Sequence, residues 1–107
     1  MRILFDQGTP APLRYQLQGH QVMLAYEQGW STLQNGELLS VAEAAGFEVF
    51  VTTDKNLRYQ QNLTNRKIAL IVLSTTSWPR IQKIADQILL ALLTKKVGDY
   101  LEMDVPW

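Results

Sequence analysis

Asp6, Glu37 and Asp54 are the residues of this chain whose placement most suggests chemistry. Each stands where an apolar strand pattern ends or a helical pattern begins. "RILF" at 2–5 delivers Asp6, "FEVFVTT" at 47–53 delivers Asp54, and Glu37 opens the helical run "GELLSVAEAAG". Three carboxylates brought to one place repel one another and raise one another's pKa values. A divalent cation relieves that repulsion. The chain has no cysteine and one histidine, so an oxygen-only ligand set suits Mg²⁺ or Mn²⁺. Such an ion activates water and neutralises phosphoryl oxygens. Asn56, two residues past Asp54, adds an amide oxygen to the candidate ligands.

Each acid also has a simpler use. Asp54 suits the cap of a following helix, Glu37 complements a helix dipole, and Asp6 before Gly8 suits a turn. Their joint arrival at one rim is more informative than any one of them. Lys55 and Arg58, with Arg66 and Lys67, are candidates for contacting RNA phosphates, or are ordinary solvated charges. Trp30 and Tyr59 could stack on bases or pack on the sheet edge. Thr52 and Thr53 could hold Asp54 or a metal-bound water, or reflect strand propensity alone. His20 is expected at the opposite rim, in a structural role.

The elements that must position these residues alternate regularly. Strands are expected at 2–5, 20–25, 47–53, 67–73 and over "DYLEMDV" near the end. Between them lie a short helix "PAPLRYQL" capped by Thr9, the helix "GELLSVAEAAG" capped by Asn35, a short helix from Lys55, and one long helix "WPRIQKIADQILLALLTKK". The order βαβαβαβαβ predicts an α/β fold with a parallel or mostly parallel sheet, helices on both faces and right-handed crossovers. In such a sheet, sites form outside the carboxyl ends of the strands, where Asp6, Asp54 and the first turn of the Glu37 helix all lie.

Composition bounds the rest. At 107 residues and 47% apolar, the chain suits one domain, 1–107, with a real core. Ten basic and ten acidic residues cancel, which argues against binding nucleic acid through overall charge. The absence of cysteine rules out disulfides and thiolate chemistry and fits a reducing compartment. No apolar stretch reaches membrane-spanning or signal-peptide length, so a soluble, cytoplasmic protein with no membrane partner is expected.

The blocks "ILFDQGTPAPLR", "GHQV" and "NGELLSVAEAAGFEVFVTTDKNL", with a tryptophan between the last two, resemble the short PIN-like proteins of bacteria. These are relatives of the PIN-domain ribonucleases that act as toxins in toxin–antitoxin pairs. The resemblance covers about residues 1 to 75. It implies a three-layer α/β/α sandwich with a five-stranded sheet of order 3-2-1-4-5, an acidic metal site and hydrolysis of RNA phosphodiesters. Asp6, Glu37 and Asp54 match the family's acids. Asn56 falls where many relatives carry a further aspartate, a departure that lowers the site's charge.

The implied function is a Mg²⁺- or Mn²⁺-dependent endoribonuclease with an RNA substrate and an antitoxin protein as partner. One alternative is a PIN-like binding module without hydrolysis. A second is a receiver-type phosphoacceptor domain, which also ends strand three in aspartate and carries a Ser or Thr after strand four. Receivers, however, pair acids after strand one, where Gln7 follows Asp6, and place a lysine after strand five, where none stands. Leu90 and Leu93 extend the apolar arc of the long helix beyond what the sheet needs, so a homodimer through residues 80–96 is also expected.

Overall fold

A computed structural model describes residues 1–57, 63 and 66–107 of the chain. Five strands form one sheet: β1 (Arg2–Phe5), β2 (Gln21–Leu24), β3 (Val49–Thr52), β4 (Ala69–Leu73) and β5 (Tyr100–Met103). All four pairings are parallel. The central strands β3 and β4 are wholly buried, VFVT and ALIVL, as continuous apolar runs must be when both sheet faces are covered. The observed order is 2-1-3-4-5, which corrects the expected 3-2-1-4-5. After β2 the chain crosses back over β1, so β3 pairs with β1 through Ile3–Val49, Leu4–Phe50 and Phe5–Val51.

Alternation along the strands divides the core in two. Ile3, Phe5, Val49, Val51, Ile71 and Leu73 point to one face and Leu4, Phe50 and Leu70 to the other. Helix α1 (Asn35–Ala44) covers the second face with Leu38, Leu39 and Ala42. The first face is covered by the 3₁₀ segment Ala11–Gln16 and by two helices, α2 (Trp78–Gln82) and α3 (Ala85–Leu93). Each of the two faces thus carries its own helical layer, making an α/β/α arrangement.

Several elements differ from the sequence reading. The expected helix at "PAPLRYQL" is a 3₁₀ segment, Ala11–Gln16. The expected single helix over 78–96 breaks at Lys83–Ile84, where bonds from Lys83 N to Arg80 O and Ile84 N to Ile81 O tighten the turn. On either side of the break Ile81, Ile84, Ala85, Ile88 and Leu92 are all buried, while Leu90 and Leu93 stay exposed. No helix among the described residues is long and apolar enough to cross a membrane.

The crossovers do not all share one hand. The β1–β2 connection shifts one way on the first face, and the β2–β3 connection shifts the other way on the second face, which gives them the same hand. The β4–β5 connection shifts in the second direction yet lies on the first face, through α2 and α3. Its hand is therefore opposite to theirs, so the crossovers of this sheet are not uniformly right-handed. The gain is packing: α2 and α3 meet the 3₁₀ segment and bury Leu13 and Leu17 with them.

The entry into β4 is anchored on α1. Glu43 accepts Arg66 Nη1 at 2.6 Å and the backbone N–H of Lys67 at 3.0 Å. Burial pushes the Glu43 carboxyl up, but the bonds from Arg66 and Lys67 outweigh it and hold its pKa below the usual value. A depressed carboxylate contributes stability above its unfolded-state pKa, and loses it as pH falls through the folded-state value. Glu43→Gln should therefore cost about 1 kcal/mol in urea unfolding at neutral pH. The difference from the parent should close once both are measured below the carboxylate range.

Candidate functional site at the carboxyl rim

The strand order puts a topological switch point between β1 and β3, because the chain leaves β1 toward β2 on one side and later returns to pair β3 on the other. A crevice outside the carboxyl ends of these two strands is where ligands bind in open α/β sheets. Asp6 follows β1 and Asp54 lies two residues past β3, so both acids stand at that point. Period-two alternation aims them alike. Leu4 lies opposite Phe50, and continuing both strands brings Asp6 beside Thr52 on the α1 face.

Asp6 is held by two hydroxyls. Thr52 Oγ1 donates to Asp6 Oδ2 at 2.5 Å, and Thr9 Oγ1 donates to Asp6 Oδ1 at 2.6 Å, with the Thr9 N–H adding a third bond at 3.0 Å. Thr9 and Thr52 are the buried polar residues among those described, at 4% and 0% exposure. The hydroxyls that the core encloses are thus spent on one carboxylate. Thr9 was expected as a helix cap. Instead Pro10 occupies that position and the Thr9 hydroxyl points to Asp6, with Val51 O 3.0 Å away as a second acceptor.

Asp54 is tied to the same cluster. Its N–H donates to Thr52 Oγ1 at 3.0 Å, so one threonine bridges both acids. Its Oδ1 accepts the Asn56 N–H at 3.0 Å, closing an Asx turn. Its Oδ2 accepts Asn35 Nδ2 at 2.6 Å. Asn35 was read as the cap of α1, but Gln34 holds that position and the Asn35 side chain reaches across to Asp54 instead. No sequence signal marked this contact, because it depends on α1 starting directly over the end of β3. Asn56 enters through its backbone, with an exposed side chain.

The loop after β1 must lie close to β3. A Cβ on Gly8 would stand 2.5 Å from Thr53 Oγ1, inside any normal contact, so only glycine lets the loop pack there. Two clefts flank Asp6. One, of about 220 Å³, is lined by Asp6, Gly8, Trp30, Asn35 and Leu38 among others. The other, of about 90 Å³, adds Thr9 and Tyr26. Trp30 stands edge-on to Phe47 with ring centres 6.0 Å apart, so it packs into the second core while bordering the first cleft.

Glu37 lies exposed in the first turn of α1, outside the hydrogen-bonded cluster of Asp6, Thr52 and Asp54. Among the described residues no group of three or more His, Asp or Glu side chains is arranged to hold a metal ion. Lys55 is exposed and lines a third cleft, with Val72, Ser74 and Asp104, toward β5. Arg58 and Tyr59 lie outside the described residues. His20 sits at the other rim, its Nδ1 3.1 Å from the Met1 amino group, and burial lowers its pKa.

Thr52→Val keeps the shape but leaves Asp6 Oδ2 and the Asp54 N–H each without a partner. It should destabilise the fold by about 1–3 kcal/mol in urea unfolding, with Thr52→Ser much milder. Gly8→Ala should cost about 1–3 kcal/mol from overpacking. Thr53→Ala in the same chain should restore most of that loss, which a double-mutant cycle would read as a favourable coupling.

No protein-family model, curated protein or solved structure matches the chain, so the chemistry of these residues carries the functional argument.

Proposed function

We propose that this chain is a PIN-like ribonuclease that hydrolyses RNA phosphodiesters with Mg²⁺ or Mn²⁺ at the Asp6–Asp54 rim, as the toxin of a toxin–antitoxin pair. The observation that carries the reading is the paired placement of Asp6 and Asp54 at the switch point, cross-braced by Thr52. A brace of this kind fixes ligands in advance of an ion. Mg²⁺ keeps several of its waters and is commonly held by only one or two carboxylates. Asp6 and Asp54 retain lone pairs beyond the bonds described, so the donor set fits a hard cation. In this reading Asp6 and Asp54, with Glu37 and Asn56, would hold the ion.

The ion, when bound, supplies an activated water and neutralises charge on the phosphoryl oxygens. The chain's own residues do the positioning. Thr9 and Thr52 fix the Asp6 carboxylate, and Asn35 orients Asp54. Lys55 and Arg58 are assigned to RNA phosphates flanking the scissile bond. The exposed Leu90 and Leu93 are assigned to a protein partner, a second copy of the chain or an antitoxin.

Two other readings have an observation each. The exposed Glu37 and the backbone-only role of Asn56 favour a PIN-like binding module without hydrolysis. The order 2-1-3-4-5 is that of flavodoxin-like sheets, which include receivers. Against the receiver, right-handed winding of that order would put the β4–β5 connection on the α1 face, whereas α2 and α3 lie on the other. Of Ser74, Thr75 and Thr76, the hydroxyl residues after strand four, Ser74 accepts the Val105 N–H at 2.7 Å and Thr75 the Ser77 N–H at 3.1 Å.

Purified protein should cleave single-stranded RNA only with Mg²⁺ or Mn²⁺ and lose the activity in EDTA. Asp6→Asn and Asp54→Asn should each lower the rate at least about 100-fold, since a lost ligand removes water activation and charge stabilisation together. Cleavage that persists in chelator would refute the mechanism. Mn²⁺ binding without cleavage would establish the binding module, and acetyl phosphate labelling of Asp54 would establish the receiver.

A further inference from the structure

A fourth cleft, of about 310 Å³, opens at the opposite rim of the sheet. It lies where β3 and β4 begin and where the chain leaves α3, and it is lined by Phe47, Val49, Ala69, Lys67, Lys95 and Val97 among others. Its floor is apolar: Phe47, Val49 and Ala69 are buried core residues. Its wall is basic. Lys67, Lys95 and Lys96 contribute ammonium groups, and Arg2 stacks on the Phe47 ring with its guanidinium carbon 4.5 Å from the centroid.

Two acids, Glu43 and Glu48, also line the cleft, and each acid at this rim accepts hydrogen bonds. Glu43 accepts Arg66 and the Lys67 N–H, and Glu48 accepts the Arg2 N–H at 3.2 Å. Asp99 accepts the Lys96 N–H at 2.9 Å. Among the cleft's lining residues, three lysines and the N-terminal Met1 thus stand against two carboxylates, in a chain whose net charge is zero. Lysines near the ends of α1 and α3 also complement helix dipoles. Yet among the described residues none of the three ammonium groups is hydrogen-bonded to a helix carbonyl. Lys95 is half-buried, and burial lowers its pKa against a smaller opposing effect of Asp99. A desolvated ammonium in a cleft is a group that an incoming anion stabilises.

We propose that this amino-rim cleft binds a small organic anion, its apolar body against Phe47, Val49 and Ala69 and its carboxylate or phosphate on Lys95 and Lys96. An apolar floor with a few convergent charges is the common form of a small-molecule site. A polynucleotide would use the lysines without needing the floor. The site is separate from the acidic rim, at the other end of the strands, and does not rest on the ribonuclease reading.

The test is a titration of ¹⁵N-labelled protein, in EDTA and without RNA, with 1-naphthoate as the probe and 1-naphthamide as its neutral counterpart. Naphthoate should shift the amides of Glu48, Val49, Ala69, Lys96 and Val97 and leave those of Asp6 and Asp54 in place. Naphthamide should bind at least tenfold more weakly. Lys95→Gln with Lys96→Gln should weaken naphthoate by a similar factor while the thermal melting temperature holds. Equal binding of the amide, shifts confined to the acidic rim, or no shift at millimolar naphthoate would overturn the proposal. So would displacement of naphthoate by oligouridylate at lower concentration, which would make the rim a polyanion surface.

Discussion

A carboxylate at the edge of a core is tolerable only when its oxygens are paired. Asp6 meets that condition through Thr52 and Thr9, and much of the local structure follows from it. Thr52 can reach Asp6 only if β3 lies beside β1 in the register that sets Leu4 against Phe50. Thr9 can reach it only if the loop turns tightly after β1, which brings Gly8 against Thr53. Because Thr52 Oγ1 also accepts the Asp54 N–H, the ends of the two strands are locked together through a single hydroxyl. A pair of acids on separate strands thereby behaves as one rigid unit.

The two halves of the core serve this arrangement differently. On one face, α1 is held by Leu38, Leu39 and Ala42 against Phe50 and Leu70, and this packing carries Asn35 over the end of β3. On the other, α2 and α3 gather with the 3₁₀ segment over Ile71 and Leu73. The opposite hand of the β4–β5 crossover is part of this division. It assembles the apolar residues of two chain-distant connections into one cluster, which a short 3₁₀ segment could not have covered alone.

The two rims of the sheet are chemically unlike. The carboxyl rim between β1 and β3 presents Asp6 and Asp54, with small clefts beside them. The amino rim presents lysines above an apolar floor. A neutral net charge does not show this local difference between the two rims. Electrostatic fields depend on where charges lie and not only on their sum.

Alternating apolar runs and helical patterns made the α/β class, the five strands and the placement of Asp6 and Asp54 at strand ends legible in the sequence, because those features depend on local periodicity. The buried run of β4 and the stripe from Ile81 to Leu92 were equally legible. Strand order was not, since a parallel sheet can be threaded in several orders by strands that all read alike. Nor was the break at Lys83–Ile84, since the stripe from Ile81 to Leu92 has the spacing of an unbroken helix. Thr9 and Asn35 both carried sound capping signals, and each was drawn away by a stronger acceptor that is distant in sequence or fixed by the turn. Side-chain partners across the sheet are chosen by packing in three dimensions, so the sequence by itself determined which residues reach the rim, and only the tertiary structure decided which of them meet there.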